Sequence, residues 1–444
     1  MPPRLHDLLH KELTQKYRKN RGEDKQYPLK VLITTQVYPP EVQASAIMVK
    51  ELAEDLTRQG MQVTVAAGFP QHPYGRLYPG FKKEWIKIED QNGLRVARGW
   101  HLISSSSSLI LRALMMASQS AAYLLGACYS PRPDVVVSYG PPLIGPLVSG
   151  FIAWASRAKL LTVIYDIYPD ILVEAGHLKN PFLITALKKL EHFIYRWSDC
   201  IVVLSKGFRR ILIQEKGVEP HKVAVIPLWL DAQAIMPMSR DNPWRREMGI
   251  GPEKFVVLYA GTIGLISGAE VMVEAAKRLE SFADILFVLV GDGYAKDRVE
   301  ALAKVAGLKN LYFFPFQSRQ RLGEVQATAD VSLVTLSPGR GKTSFPSKVL
   351  AYMAAARPVI AQVDAGCDIA ELIREAKCGL VVLPAQGELL AEAILHFYKN
   401  PEDRHEAGRQ GLRYFSQNLE RQQILEKYQE LVKKLVSEGS TETL

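Results

Sequence analysis

The chain lacks most of the devices by which sequences commonly announce their chemistry. Its four cysteines, Cys128, Cys200, Cys367 and Cys378, form no Cys-x-x-Cys pair and have no histidine at metal-ligand spacing. They read as reduced core residues of a cytosolic protein rather than a disulfide framework or zinc site. No Gly-x-Gly-x-x-Gly follows a first strand, which argues against a dinucleotide oxidoreductase. No Gly-x4-Gly-Lys-Ser/Thr loop, nucleophile elbow or metalloprotease helix occurs, and no Asp-x-Asp pair offers two carboxylates to a divalent metal. The first residues are polar and basic, so no secretory signal is read. Of two greasy stretches, 109–128 and 143–158, the first is diluted by Arg112 and several Ser, Gln and Gly residues. A buried or membrane-dipping helix fits it better than a spanning one.

What remains is the composition of a soluble globular protein of two to three domains, with 48% apolar and 23% charged residues in 444. The net charge of +9 is uneven: residues 1–231 carry 29 Lys+Arg against 20 Asp+Glu, and the rest 26 against 26. An anionic partner for the first half, a membrane surface or a phosphate-bearing acceptor, follows from that bias if it is not chance. Nucleic acid is not expected, because no recognisable reading module accompanies the charge.

Residues 1–27 form a basic amino-terminal tail, in which Leu5, Leu8, Leu9 and Leu13 share one helical face. It reads as a frayed tail, with a weak membrane-surface helix as the other possibility. From Lys30, short β-branched runs (KVLITTQ, QVTVAAG, DVVVSYG, KLLTVIYD, CIVVLS, VAVIPL) alternate with helical stretches at 46–58, 181–197 and 206–215. Such alternation predicts a parallel sheet covered on both faces. A proline-rich linker at 227–246 follows. The pattern then restarts with FVVLYAG, ILFVLVGDG, LYFFPF, VSLVTL, PVIAQ and GLVVLP, with a helix at 319–329 among those between them. The expected division is an N-terminal domain at 28–232, a C-terminal domain at 233–400 and crossing helices at 401–444.

Ligands of parallel α/β sheets bind beyond the carboxyl ends of the strands. Three loops fall there in the second half. Gly261-Thr262-Ile263-Gly264 and Gly291-Asp292-Gly293 follow its first two strands, and Pro338–Lys348, with Arg340 and Lys342, follows VSLVTL. The stretch SFPSKVLAYMAAARPVIA then opens a helix at Pro346 whose start carries Ser347 and Lys348. Free backbone N–H groups, the positive end of the dipole and an ammonium there suit phosphate. The same residues also fit a plain core helix. In the first half, Gln43 lies after the first strand. Asp166 and Asp170 follow a later one, with Glu174 one helical turn on. A strand-end aspartate can orient a hydroxyl or take a proton, or simply cap the next helix.

Taken together, YAGTIGLISG, VLVGDG followed by Lys296, and FPSKVLAYMAAARPVIA resemble the donor half of family-four retaining glycosyltransferases. VLITTQVYPPE, PRPDVVVSYGPPL, YDIYPD, LEHFIYRWSDCIVVLS and IPLWLD resemble the acceptor half, in the family's order. The branch most resembled builds bacterial O-antigen, capsule and colanic-acid-like exopolysaccharides. The resemblance implies an α/β protein of the GT-B fold, two Rossmann-like doubly wound parallel-sheet domains facing a cleft. It also implies a nucleoside-diphosphate sugar as co-substrate, no cofactor or metal, and transfer of a hexosyl or N-acetylhexosaminyl group with retained configuration. The expected acceptor is a lipid-diphosphate-linked sugar at the inner face of the cytoplasmic membrane.

By position, Gly261, Thr262, Gly264, Ser347 and Lys348 would line the donor phosphates, helped by Arg340 and Lys342, with Gly291 and Asp292 near the base. Asp166 would face the reacting sugar, and Gln43, Asp170 and Glu174 the acceptor. Two glutamates usual in the family are here Thr343 and Ala351, and the usual linker Asn is Leu228. Those departures leave two other readings open: an inactive sugar-nucleotide-binding partner of an assembly complex, or a sugar-nucleotide epimerase of the same fold.

Overall fold

Runs of four to seven β-branched and aliphatic residues cannot expose either face, so they pair side by side beneath helices on both sides. The computed structural model describes residues 28–438 except 42, 72–74, 83, 105–108, 141, 175 and 265, and the tail at 1–27 lies outside the described residues. The first half runs β1 (Lys30–Thr35), α1 (Ala44–Arg58), β2 (Gln62–Gly68), β3 (Ile86–Gln91), β4 (Leu94–Gly99), α2 (Leu109–Cys128), β5 (Val135–Gly140), α3 (Ile144–Ser156), β6 (Lys159–Ile164), α4 (Asp170–Glu174), α5 (Pro181–Trp197), β7 (Cys200–Val203), α6 (Lys206–Gln214) and β8 (Val223–Val225). Its eight strands lie in the order β3-β4-β2-β1-β5-β6-β7-β8, parallel except for β3, which pairs antiparallel with β4 at the edge.

The β3–β4 hairpin is not among the strands expected from sequence. Its first strand, IKIEDQ, is half-exposed and charged rather than an apolar run. The informative signal was the Asn92-Gly93 turn, both residues of which have positive φ (57° and 85°), as a tight hairpin requires. Cys128 also departs from expectation: it is exposed at the end of α2, while the other three cysteines are buried. No helix among the described residues is long and apolar enough to cross a membrane.

The second half runs α7 (Pro243–Glu247), β9 (Phe255–Ala260), α8 (Val271–Arg278), β10 (Ile285–Val290), α9 (Lys296–Val305), β11 (Leu311–Phe314), α10 (Leu322–Ala327), β12 (Val331–Thr335), α11 (Lys348–Ala354), β13 (Val359–Gln362), α12 (Asp368–Ala376), β14 (Gly379–Val382) and α13 (Gly387–Lys399). Its strands are all parallel, in the order β11-β10-β9-β12-β13-β14. The segment expected as one helix at 319–329 is a 3-10 turn at Arg319–Arg321 followed by the short α10. The helix expected from Pro346 begins instead at Lys348. Ser347 is its N-cap, and Phe345 before it packs against the core.

Two helices close the chain, α14 (Pro401–Asn418) and α15 (Arg421–Glu438). The second returns to the first half and packs on α1 and β5. There the Tyr428 ring meets Trp229 edge-on at 5.8 Å, and Gln429 donates to Asp55 at 2.5 Å. One apolar cluster consequently runs from Val31 through Trp229 and Ile424 to Leu258 and Val349, joining the two sheets. The linker is fastened to the second half by Arg245, 1% exposed, whose guanidinium donates to the carbonyls of Thr328, Gly251 and Lys254 at 3.0, 2.8 and 2.7 Å. Arg245→Met would leave those carbonyls unpaired. A loss of about 2–4 kcal/mol is expected, read as a lowered unfolding midpoint in a denaturant titration.

Candidate functional site

The loops that leave the carboxyl ends of β9 and β10 are built as a nested pair. Ile263 N–H donates to the Asp292 carbonyl at 2.9 Å, and Ala295 N–H to the Ile263 carbonyl at 3.0 Å. The approach is so close that a Cβ on Gly291 would stand 2.0 Å from the Gly261 oxygen, and one on Gly293 2.6 Å from that of Ile263. Those two glycines are therefore demanded by loop packing. The third loop is stitched on beside them: Ser337 N–H donates to the Ile266 carbonyl at 3.0 Å, and Gly339 N–H to the Asp364 carboxylate at 2.9 Å.

Lys348 enters this nest from the first turn of α11. One turn later Tyr352, fully buried, accepts from the Ala260 N–H at 3.0 Å and so fixes the helix face against the end of β9. The Lys348 ammonium then lies 3.4 Å from the centroid of the Tyr259 ring, a cation–π contact, and beside Gly261, where a Cβ would meet its Nζ at 3.4 Å. Gly261, at φ 131°, is the glycine that leaves the ammonium room. The described residues provide no carboxylate partner for Lys348, nor for Arg340 or Lys342 on the loop before it. Burial pushes the Lys348 pKa down to about 7. An ammonium held without a counter-anion at glycine-lined strand ends can receive a dianionic or trianionic group.

The remaining donor-side residues surround that point unequally. Thr262 and Asp292 are exposed, and the Asp292 carboxylate accepts from Gly293 N–H at 2.8 Å. Gly264 is open on its side-chain face, with no atom nearer than 3.9 Å. Ser347 makes no capping bond with its hydroxyl, Arg340 is half-buried and Lys342 is exposed.

Across from these loops lies the first sheet, also by its carboxyl ends. Two contacts show the facing arrangement. Asp368, at the first residue of α12, accepts from the Ser205 hydroxyl at 2.6 Å and from Gly207 N–H at 2.8 Å, at the start of α6. Thr343, in the loop after β12, donates its hydroxyl to Glu174 at the end of α4, at 2.5 Å. Ion pairs Arg210–Glu371 (3.2 Å) and Lys206–Glu375 (3.7 Å) flank the Asp368 contact. No sequence signal marked Asp368 or Ser205, since their partnership joins residues 163 positions apart.

The acceptor-side candidates separate. Asp166 stands just past β6 at a cavity of about 20 Å³ that it lines with Gly140, Thr162, Tyr168 and Tyr195. Burial raises its pKa to about 6. Gln43 is the N-cap of α1, directly after β1, and makes no capping bond. The Asp170 carboxylate is engaged by Lys216 and, at 3.5 Å, Lys188, while Lys216 also binds the buried Glu191 at 2.9 Å. Asp170 thus anchors α4, and Glu174 sits against the donor loop.

Two mainly parallel α/β sheets that meet carboxyl end to carboxyl end around a cleft, with an unpaired ammonium at the glycine loops of the second, make up the GT-B fold. A family model described as "Glycosyl transferases group 1" matches residues 241–413, and one described as "Glycosyl transferase 4-like domain" matches 44–229. The chain belongs to this family of glycosyltransferases. A putative colanic acid biosynthesis glycosyl transferase, WcaI of Escherichia coli K12, is 25% identical over 351 residues, 78% of this chain and 86% of that one. Among solved structures, sucrose-phosphate synthase of Thermosynechococcus elongatus superposes with TM-score 0.72 at 17% identity, covering 92% of this chain and 99% of that one. Anabaena HepE in complex with UDP-glucose superposes with TM-score 0.67 at 15% identity, covering 91% and 100%. At those identities the structures speak for the fold.

Removing the half-buried charge of Lys348 while keeping the side chain's bulk separates binding from stability. Lys348→Met is expected to hold or raise the thermal midpoint at pH 7 and to weaken nucleoside diphosphate binding at least a hundredfold, by melting and calorimetry together.

Proposed function

We propose that the chain is a retaining glycosyltransferase that moves a hexosyl-type sugar from a nucleoside diphosphate to a hydroxyl of a lipid-linked glycan during cell-surface polysaccharide synthesis. The observation that carries this reading is the Lys348 ammonium, packed on Tyr259 and Gly261 with no counter-anion of its own among the described residues. In the transfer the bond from the anomeric carbon to the diphosphate oxygen breaks, and the acceptor oxygen forms its bond on the same face. The proton of the acceptor hydroxyl leaves with the departing diphosphate. Charge grows on that diphosphate as the bond breaks, and a cation and backbone amides already in place stabilise it without reorganisation. With those groups the step calls for no metal, so chelator should leave turnover unchanged. The E. coli relative's assignment to colanic acid and the UDP-glucose held by HepE support the substrate classes.

Asp166 is the acceptor-side group best suited to orient the hydroxyl or the reacting sugar, since it is only partly exposed at a strand end and ionises near pH 6. Its folded pKa lies above the unfolded value, so its ionisation costs stability as pH rises from about 4 to 6. Asp166→Asn should therefore keep or raise the melting temperature at pH 7.5 while lowering kcat at least a hundredfold. The wild-type rate should fall away below about pH 6.

A membrane-bound acceptor fits the outer face of the first half. Helices α2, α3 and α5 lie side by side there and expose Leu114, Leu125, Phe151, Trp154, Phe182 and Phe193. The exposed charges of α5, Lys188, Lys189 and Arg196, are all basic, and its one acid, Glu191, is buried under Lys216. Apolar side chains ringed by cations suit an anionic bilayer surface. The double change Trp154→Asp with Phe182→Asp should abolish sedimentation with phosphatidylglycerol vesicles in low salt and leave nucleotide binding intact.

The second reading, an inactive nucleotide-binding partner, is favoured only by Thr343 and Ala351 at the two positions named above. Calorimetry against a panel of nucleoside diphosphates, followed by product analysis with sugars of the tightest one, tests these readings and the epimerase together. Diphosphate release that needs an acceptor supports transfer, release or isomerisation without one supports an epimerase, and tight binding with no release supports the inactive partner.

A further inference from the structure

We infer that Glu174, carried by the acceptor half, is a ligand of the donor's sugar, set in place by Thr343. The inference rests on the proposed transfer reaction and names a contact that lies outside the donor half's own loops. Thr343 is 4% exposed in the loop between β12 and α11, five residues before Lys348, and its hydroxyl donates to the Glu174 carboxylate at 2.5 Å. Thr343 brings no charge. Among the described residues no lysine or arginine pairs with Glu174 either, so its second carboxylate oxygen is left for another partner.

The position of that carboxylate is not a matter of chance contact between two loops. Helix α4 is only five residues long, and its first residue, Asp170, is clamped by Lys216 and Lys188. Lys216 is fixed in turn by Glu191, 1% exposed, which also accepts from the Tyr195 hydroxyl at 3.0 Å. The helix is thus a short arm pinned at its base, and Glu174 is its tip.

Two uncompensated charges of opposite sign then border one cleft. The cation, Lys348, suits a diphosphate. The anion does not, because a carboxylate repels phosphate oxygens; it accepts hydrogen bonds only. Hydroxyl groups are what it can bind, and charge-assisted bonds to them are strong and short. A group reaching the donor loop from the acceptor half meets the donor on its acceptor-facing side. The transferring sugar must be open to attack there. Thr343 supplies the anchor and Glu174 the contact.

The test compares ligands that differ only by the sugar. Kd values of the full-length protein are measured by calorimetry for UDP and UDP-glucose, or for GDP and GDP-mannose where the wild type prefers guanine. Glu174→Gln is expected to weaken the sugar nucleotide roughly tenfold and leave the diphosphate within about twofold. Thr343→Val should weaken the sugar nucleotide by a smaller factor, and the double variant should be no worse than Glu174→Gln alone. Equal weakening of both ligands, which a purely structural strut would produce, overturns the inference, as does no weakening of either. A wild type that binds none of these ligands removes the proposed function, and this contact with it.

Discussion

An ammonium with no carboxylate beside it is costly to take even partly out of water, and half-buried Lys348 is held in that state by a ring face and a glycine rather than by an ion pair. Much of the second half is arranged to make that placement possible. Tyr352 fixes α11 to the end of β9, Gly261 leaves the space, and the nested loops after β9 and β10 provide rigid backbone around it. A site that keeps an unmatched charge trades stability for readiness to bind the opposite charge.

The facing arrangement of the two sheets depends on a small number of polar contacts set in a continuous apolar joint. The joint, from Trp229 through α15, holds the halves together. Across the cleft, the described residues include hydrogen bonds to carboxylates, Asp368 to Ser205 and Gly207 and Glu174 to Thr343, and the ion pairs Arg210–Glu371 and Lys206–Glu375. An apolar hinge with a polar mouth suits a cleft that opens to admit substrates and closes over them, since polar groups can exchange partners with water and aliphatic ones cannot.

The acceptor-side carboxylates, two Asp and one Glu, carry the same functional group and yet have three different environments. Asp170 is neutralised by two lysines, Glu174 faces a hydroxyl, and Asp166 is partly enclosed with burial raising its pKa. Their spacing along the chain made them equivalent candidates. Only the packing of α5 and α6 around Lys216, and of the donor loop around Thr343, separates an anchor from two groups free to meet a ligand.

Two mainly parallel sheets, the three glycine loops and the placing of Lys348 beside them were legible in the sequence, because apolar runs, breakers and helix starts are local signals. The β3–β4 hairpin escaped because its outer strand is charged, although its Asn-Gly turn was there to be read. Local patterns also failed at Pro346, two residues before the helix begins at Lys348. Tertiary structure alone decided which carboxylates pair and which stay free, that Glu174 lies against the donor loop and that Asp368 bridges the halves. Those contacts join residues more than 160 positions apart, and they depend on side-chain burial and partner geometry that no periodicity along the chain encodes.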